Sequence, residues 1–158
     1  MNSISLGPKV FVGPCAIIRA DEPDVSGTVG SIAIGPECNM QDGVIIHSLG
    51  GKSVTIGTRV SLAHGCVVHG PCAIGDGCFV GFRAIVYNAN LKERVFVGHG
   101  AIVEGVELEA GALVTARNAV SSAEQGNRLP TVGPPHLEFM EKVITSNIRL
   151  VQGYLEIC

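Results

Sequence analysis

His47, His64 and His69 are the residues of this chain whose type and spacing point most directly to chemistry. Neutral imidazole is the commonest side-chain ligand for a transition metal. Three imidazoles and one open position make a catalytic zinc site, whereas structural zinc takes four protein ligands. His47 follows Ile46 and His69 follows Val68, and the same 22-residue step separates the members of both pairs. In a chain that repeats at that step the two imidazoles stack in adjacent layers, about 4.8 Å apart as parallel strands are, within reach of one ion. His64 stands five residues before His69, on a different side of the turn. It is poorly placed to join the pair within its own chain, but in a threefold trimer it reaches the pair of a neighbouring subunit.

The elements that must position these side chains follow from a six-residue period. Aliphatic residues recur at Ile56, Leu62, Val68, Ile74, Val80 and Val86, with small or aliphatic residues four places after each at Val60, Cys66, Cys72, Cys78 and Ala84. Earlier segments repeat the pattern at Ile34, Met40 and Ile46 and at Val12 and Ile18. Later ones do so at Val97 and Val103, after which the register slips. One strand and one turn per hexad, and three hexads per coil, give a triangular coil that buries almost nothing alone and is stabilised by stacking on its neighbours. The expected fold is all-β: a parallel β-helix of hexapeptide repeats with one C-terminal α-helix. Resemblance to other hexapeptide proteins implies a left-handed coil. The helix is expected from Leu137, Met140, Ile144, Ile148, Val151 and Leu155, which keep helical spacing after a Pro- and Gly-bearing stretch. The expected division is a β-helix with the three-histidine site over 1–128, then a connecting segment and helix over 129–158.

Composition agrees with this architecture. The chain has 158 residues, 46% of them hydrophobic but only 4% aromatic, so its core must come from Val, Ile, Leu and Ala in regular layers. Its 21 glycines are spread along the chain, as many turns require. A net charge of −3 without a basic stripe excludes a nucleic-acid footprint. No apolar run is long enough to span a membrane, and Met1 to Ser5 lacks the character of a signal peptide. The expectation is a soluble, cytoplasmic protein.

Two insertions interrupt the coils. The blocks at Ile34 and Ile56 are 22 residues apart, which puts an outward loop around Gly50-Gly51-Lys52-Ser53. The same offset aligns Val12 and Ile18 with Ile34 and Met40, with the extra residues near Asp24-Val25-Ser26-Gly27. It stacks Arg19 beneath Gln41 and Asp42 beneath His64.

Several stretches resemble the gamma-class carbonic anhydrases: Arg19-Ala20-Asp21-Glu22, Asn39 through His47, Ser61-Leu62-Ala63-His64 running to Val68-His69-Gly70-Pro71, and Asn147 through Tyr154. The resemblance covers nearly the whole chain. It implies a homotrimer in which His47 and His69 of one subunit and His64 of the next hold zinc, or iron in some members. It implies reversible hydration of carbon dioxide to bicarbonate by a metal-bound hydroxide. Gln41 matches a residue that orients the bound solvent, Glu22 a carboxylate that handles the proton, and Asn147 a helix residue near the site. Arg19, Asp21, Asn39 and Asp42 match residues around the interface. Where many members carry a long acidic loop after the first ligand, Ser48-Leu49-Gly50-Gly51-Lys52 is short and without an acid, as in the short-loop subclass.

Two other readings stay open. Relatives in this family serve as assembly modules in carboxysomes and respiratory complexes, so a weak or inactive form is the first alternative. Hexapeptide acyltransferases share the coil and are the second, although they need one histidine base rather than three convergent imidazoles. Of the six cysteines, Cys38, Cys66, Cys72 and Cys78 fall where a small inward residue belongs and are read as packing. Cys158 is the one expected to be exposed and oxidisable. Gly51-Lys52-Ser53 lacks the earlier glycine of a phosphate loop. His99 and His136 have no assigned role.

Overall fold

The computed structural model describes residues 3–157. Cys158 lies outside them. Over the described residues the chain winds into a parallel β-solenoid in which eighteen strands form three six-stranded faces. The first face contains β1 (Ser3–Leu6), β4 (Ser31–Ile34), β7 (Val54–Ile56), β10 (Cys72–Ile74), β13 (Asn90–Leu91) and β16 (Glu107–Leu108). The second contains β2 (Phe11–Val12), β5 (Asn39–Met40), β8 (Ser61–Leu62), β11 (Phe79–Val80), β14 (Phe96–Val97) and β17 (Leu113–Val114). The third contains β3 (Ile17–Arg19), β6 (Ile45–His47), β9 (Val67–His69), β12 (Ile85–Tyr87), β15 (Ile102–Glu104) and β18 (Ala119–Val120).

Alternation along each strand sends one side chain inward per hexad. The inward columns are the ones the period marks: Met40, Leu62, Val80, Val97 and Val114 on one face, and Ile46, Val68, Val86, Val103 and Val120 on another, all buried. Cys38, Cys66, Cys72 and Cys78 are buried free thiols. Burial pushes Cys66 and Cys78 up to about 12 and Cys38 up to about 11.

The register of the first coil differs from the sequence expectation. Val12 pairs with Met40 and Ile18 with Ile46, a step of 28 residues rather than 22. The excursion between β3 and β4 is therefore longer than the four residues expected. It is closed by an antiparallel bridge between Pro23 and Val29 and by Asp24, whose carboxylate accepts from the backbone of Ser26 and Thr28. This loop rests on the next one, which joins β6 to β7, so closely that a Cβ at Gly30 would stand 1.4 Å from the Lys52 carbonyl oxygen. A second difference is that each coil shortens by a residue above β12: Ala73 pairs with Asn90 and Ile85 with Ile102. The slip thus begins before Val97. Single corner residues in the left-handed region, Asn88 and Gly105, replace the two-residue Gly70-Pro71 corner.

The three faces differ in what covers them. The first presents small and polar side chains, among them Ser31, Thr55, Asn90 and Glu107. The second is covered by a long helix, α2 (Pro134–Ile157), which runs from Phe96, beside His136, to Phe11, which stacks on Tyr154. Met140 and Ile144 of the helix are buried on its inner side, while Leu137 and Leu155 of the expected stripe stay exposed toward its ends. The third face carries Ile17, Ile45, Val67, Ile85 and Ile102 in one outward ladder, and no element among the described residues covers it. One short helix was not foreseen in sequence. It is α1 (Ala123–Asn127), capped by Ser122, whose hydroxyl accepts from Gln125 N; with Leu129 it closes the top of the prism.

Candidate metal centre

His47 and His69 stand in register on β6 and β9. His47 Nδ1 lies 3.0 Å from His69 Nε2, with the rings crossed at 79°. Two nitrogens bound to one tetrahedral zinc at ~2.0–2.1 Å would be about 3.3 Å apart, so the pair needs a few tenths of an ångström to accept an ion. His47 Nε2 is buried without a hydrogen-bond partner. Its nearest charged neighbour, Glu22 Oε1, is 3.5 Å away. An imidazole pair with one orphaned buried nitrogen fits a ligand role better than a packing one.

The ladder that holds this pair continues in both directions. Arg19 lies beneath His47, not beneath Gln41 as the 22-residue offset suggested, because the first loop is longer than four residues. Arg19 Nε donates to Asp21 Oδ1 at 2.6 Å, and its guanidinium donates to Glu22 Oε1 at 3.2 Å. Tyr87 lies above His69 with its ring edge-on at 5.3 Å. Sequence reasoning missed Tyr87, although one further 18-residue step from His69 would have found it.

His64 is held elsewhere. It sits at the corner between the second and third faces, after β8, with Asp42 in the equivalent place one rung below. Asp42 Oδ2 is 3.6 Å from His64 Nδ1, and the His64 side chain is 52% exposed against 13% for His47. Among the described residues of one chain, no three ligating side chains gather. The uncovered third face thus has His47 and His69 along one edge and His64 along the other.

The His64 edge also carries an amide chain. Asn147 Nδ2 donates to the helical Val143 carbonyl at 2.9 Å, and a carbonyl can only accept. Asn147 Oδ1 must then face Gln41, whose Nε2 donates to it at 2.8 Å and to Asn39 Oδ1 at 3.0 Å. Asn39, buried, donates on to Ser61 Oγ at 2.8 Å. With its nitrogen committed, Gln41 offers Oε1 as an acceptor. Gln41, Asn147 and His64 border a cavity of about 260 Å³ whose other walls include Ala63, Phe79, Phe82, Phe139 and Val143, a lining suited to a small uncharged molecule. The structure therefore groups Arg19, Asp21 and Glu22 with His47 and His69, and Asn39, Gln41, Asp42 and Asn147 with His64.

A stacked triangular coil with this face composition belongs to the hexapeptide solenoids. The crystal structure of a hexapeptide transferase family protein from Anaplasma phagocytophilum superposes with a TM-score of 0.78 over 96% of this chain and 81% of that one, at 23% identity; that likeness concerns the fold alone. No protein-family model matches the chain. The carboxysome assembly protein CcmM of Nostoc sp. is 36% identical over 165 residues, covering 98% of this chain and 29% of the relative. The carbonic anhydrase of Methanosarcina thermophila is 31% identical over 177 residues, covering 99% of this chain and 69% of the relative. Gamma carbonic anhydrase 2 of Arabidopsis thaliana mitochondria is 31% identical over 154 residues, covering 88% and 50%. This chain belongs to the gamma carbonic anhydrase family. It spans less than a third of the CcmM proteins it matches. Among the described residues, no helix is long and apolar enough to cross a membrane.

Proposed function

We propose that the protein is a carbonic anhydrase working as a homotrimer, with His47 and His69 of one subunit and His64 of the next sharing a zinc or iron ion. The observation that carries this reading is the third face: an exposed aliphatic ladder with the His47–His69 pair along one edge and His64 along the other. Exposed contiguous apolar surface marks a contact surface, and three such faces turned to a common axis bring opposite edges of neighbours together. When bound, the ion supplies acidification of water, from a pKa of about 15.7 in bulk to about 7. Imidazole suits both metals.

The chain's own groups divide the remaining work. The carbonyl of Gln41, whose amide is fixed by Asn39 and Asn147, accepts a hydrogen bond from the reacting water and so turns the water's lone pair toward the substrate. The neighbouring apolar walls receive carbon dioxide, which is small and uncharged. Glu22, held by Arg19 and partly open to solvent beside His47, takes the released proton outward. Arg19, Asp21 and Asp42 orient ligands and bind the subunits together.

Stopped-flow hydration of carbon dioxide, with metal content assayed on the same anaerobically purified sample, tests the proposal. About one metal per subunit with chelator-sensitive hydration supports it. Bound metal without hydration favours the second reading, an assembly module, for which the 36% identity to a carboxysome assembly protein speaks. A trimer that holds no metal overturns the enzyme reading. The acyltransferase reading has only the shared coil behind it.

A further inference from the structure

His64 is an exposed side chain on a corner, where an imidazole ordinarily chooses freely among rotamers. Two groups bear on it. Asp42 approaches Nδ1 from the rung below. Phe82, at the equivalent place one rung above, sets its ring 5.5 Å from the imidazole at 37°. Phe82 is itself 46% exposed and is gripped from the next rung: His99 stacks on it at 4.4 Å and 9°, and His99 Nδ1 accepts the Phe82 N–H at 3.0 Å. That bond makes Nδ1 an acceptor and fixes the plane of the ring. Phe79 closes the far side edge-on at 6.2 Å. Gly81 keeps the space open, since a Cβ there would stand 2.8 Å from His99 Nδ1.

We propose that Phe82 and His99 are positioning residues for His64, a two-ring stack that holds the third imidazole in its ligating orientation before a second subunit arrives. The inference rests on the shared-metal reading above and gives a role to a histidine that otherwise has none. It also accounts for a large aromatic on an open corner: the ring is both a wall of the cavity beside Gln41 and a prop for the ligand.

The test is competition titration of zinc against a chromophoric chelator, together with the cobalt(II) absorption spectrum, on wild type, Phe82→Ala, Phe82→Tyr and His99→Ala, each checked for trimer by sedimentation. Outer groups that orient ligands are worth about 10–100-fold in metal affinity. The expected result is a loss in that range for Phe82→Ala, a smaller loss for His99→Ala, recovery in Phe82→Tyr, and an altered cobalt spectrum in both alanine variants. If Phe82→Ala fails to assemble, His99→Ala, one rung further from the ligand, carries the measurement. Unchanged affinity in trimeric variants overturns the inference while leaving the metal site intact. So does dissociation of both alanine variants, which would make the stack an interface element. Wild-type trimer without zinc affinity overturns the underlying reading and the inference with it.

Discussion

His47 Nδ1 and His69 Nε2 face each other at 3.0 Å from adjacent rungs, with rings crossed rather than stacked. Side chains in register on a parallel ladder usually align, so the crossing reflects nitrogen meeting nitrogen. His69→Ala leaves one imidazole on this edge. On the proposed reading it is expected to remove bound metal and lower hydration by at least about 100-fold, above the range for outer-sphere groups, and to leave the proposed trimer assembled. Metal analysis and sedimentation on one preparation check both halves. Full activity in this variant would sink the mechanism.

In the proposed mechanism Gln41 acts through an oxygen whose direction is set by Asn39 and Asn147. Gln41→Ala is expected to keep the metal and lose about 10–100-fold in hydration. Asn147→Ala releases one of the two acceptors on Gln41 Nε2 and lets the amide turn over; its loss should be about tenfold, with metal again unchanged. Stopped-flow rates set against metal content separate these outcomes from ligand loss.

What could be read from sequence were the features with a local rule behind them. The six-residue period marks inward side chains whatever the loops do, so the core columns and the His47–His69 pairing follow directly. The separation of His64 follows as well, because five residues carry it to another corner. The path of the first coil has no such rule. Its length depends on the Pro23–Val29 bridge and the turn at Asp24, which leave no periodic mark. The 22-residue offset therefore places Arg19 in the column of Gln41, whereas it stands under His47. The shortened corners at Asn88 and Gly105 hide for the same reason: a left-handed residue replaces two, and the period shifts by one. Phe82 and Tyr87 needed no new rule, only one more step of the repeat.

The buried thiols make the fold sensitive to alkali. Their ordinary value is 9.0, and burial raises Cys38 to about 11 and both Cys66 and Cys78 to about 12. Below pH 9 both folded and unfolded chains hold these protons, so the thiols add no pH dependence there. Above it the unfolded chain ionises first, and stability falls by about 1 kcal/mol per pH unit for each thiol until the folded value is reached. Thermal unfolding between pH 8 and about 10.5 should show this decline, and Cys66→Ala should flatten it despite a lower starting stability. Thiol reagents should label Cys15, which is exposed, well before these three. An equal slope in wild type and Cys66→Ala would remove Cys66 as a cause, and an equal slope in the Cys38→Ala/Cys66→Ala/Cys78→Ala triple variant would remove all three thiols.

The proposed sharing of the site between two edges of one face predicts that subunits complement each other. A His64→Ala chain keeps the His47–His69 half, and a His69→Ala chain keeps the His64 half. Homotrimers of either variant lack every complete site. A mixed trimer, in either proportion, has one interface where an intact pair meets an intact His64. Random assembly from equal amounts leaves three quarters of the trimers mixed, so about a quarter of wild-type sites should return. Unfolding and refolding the two variants together, then measuring hydration and metal per subunit, reads this fraction directly. Recovery near a quarter requires ligands from two chains. No recovery, with mixed trimers demonstrated by mass spectrometry, would mean that the histidines of each subunit work alone.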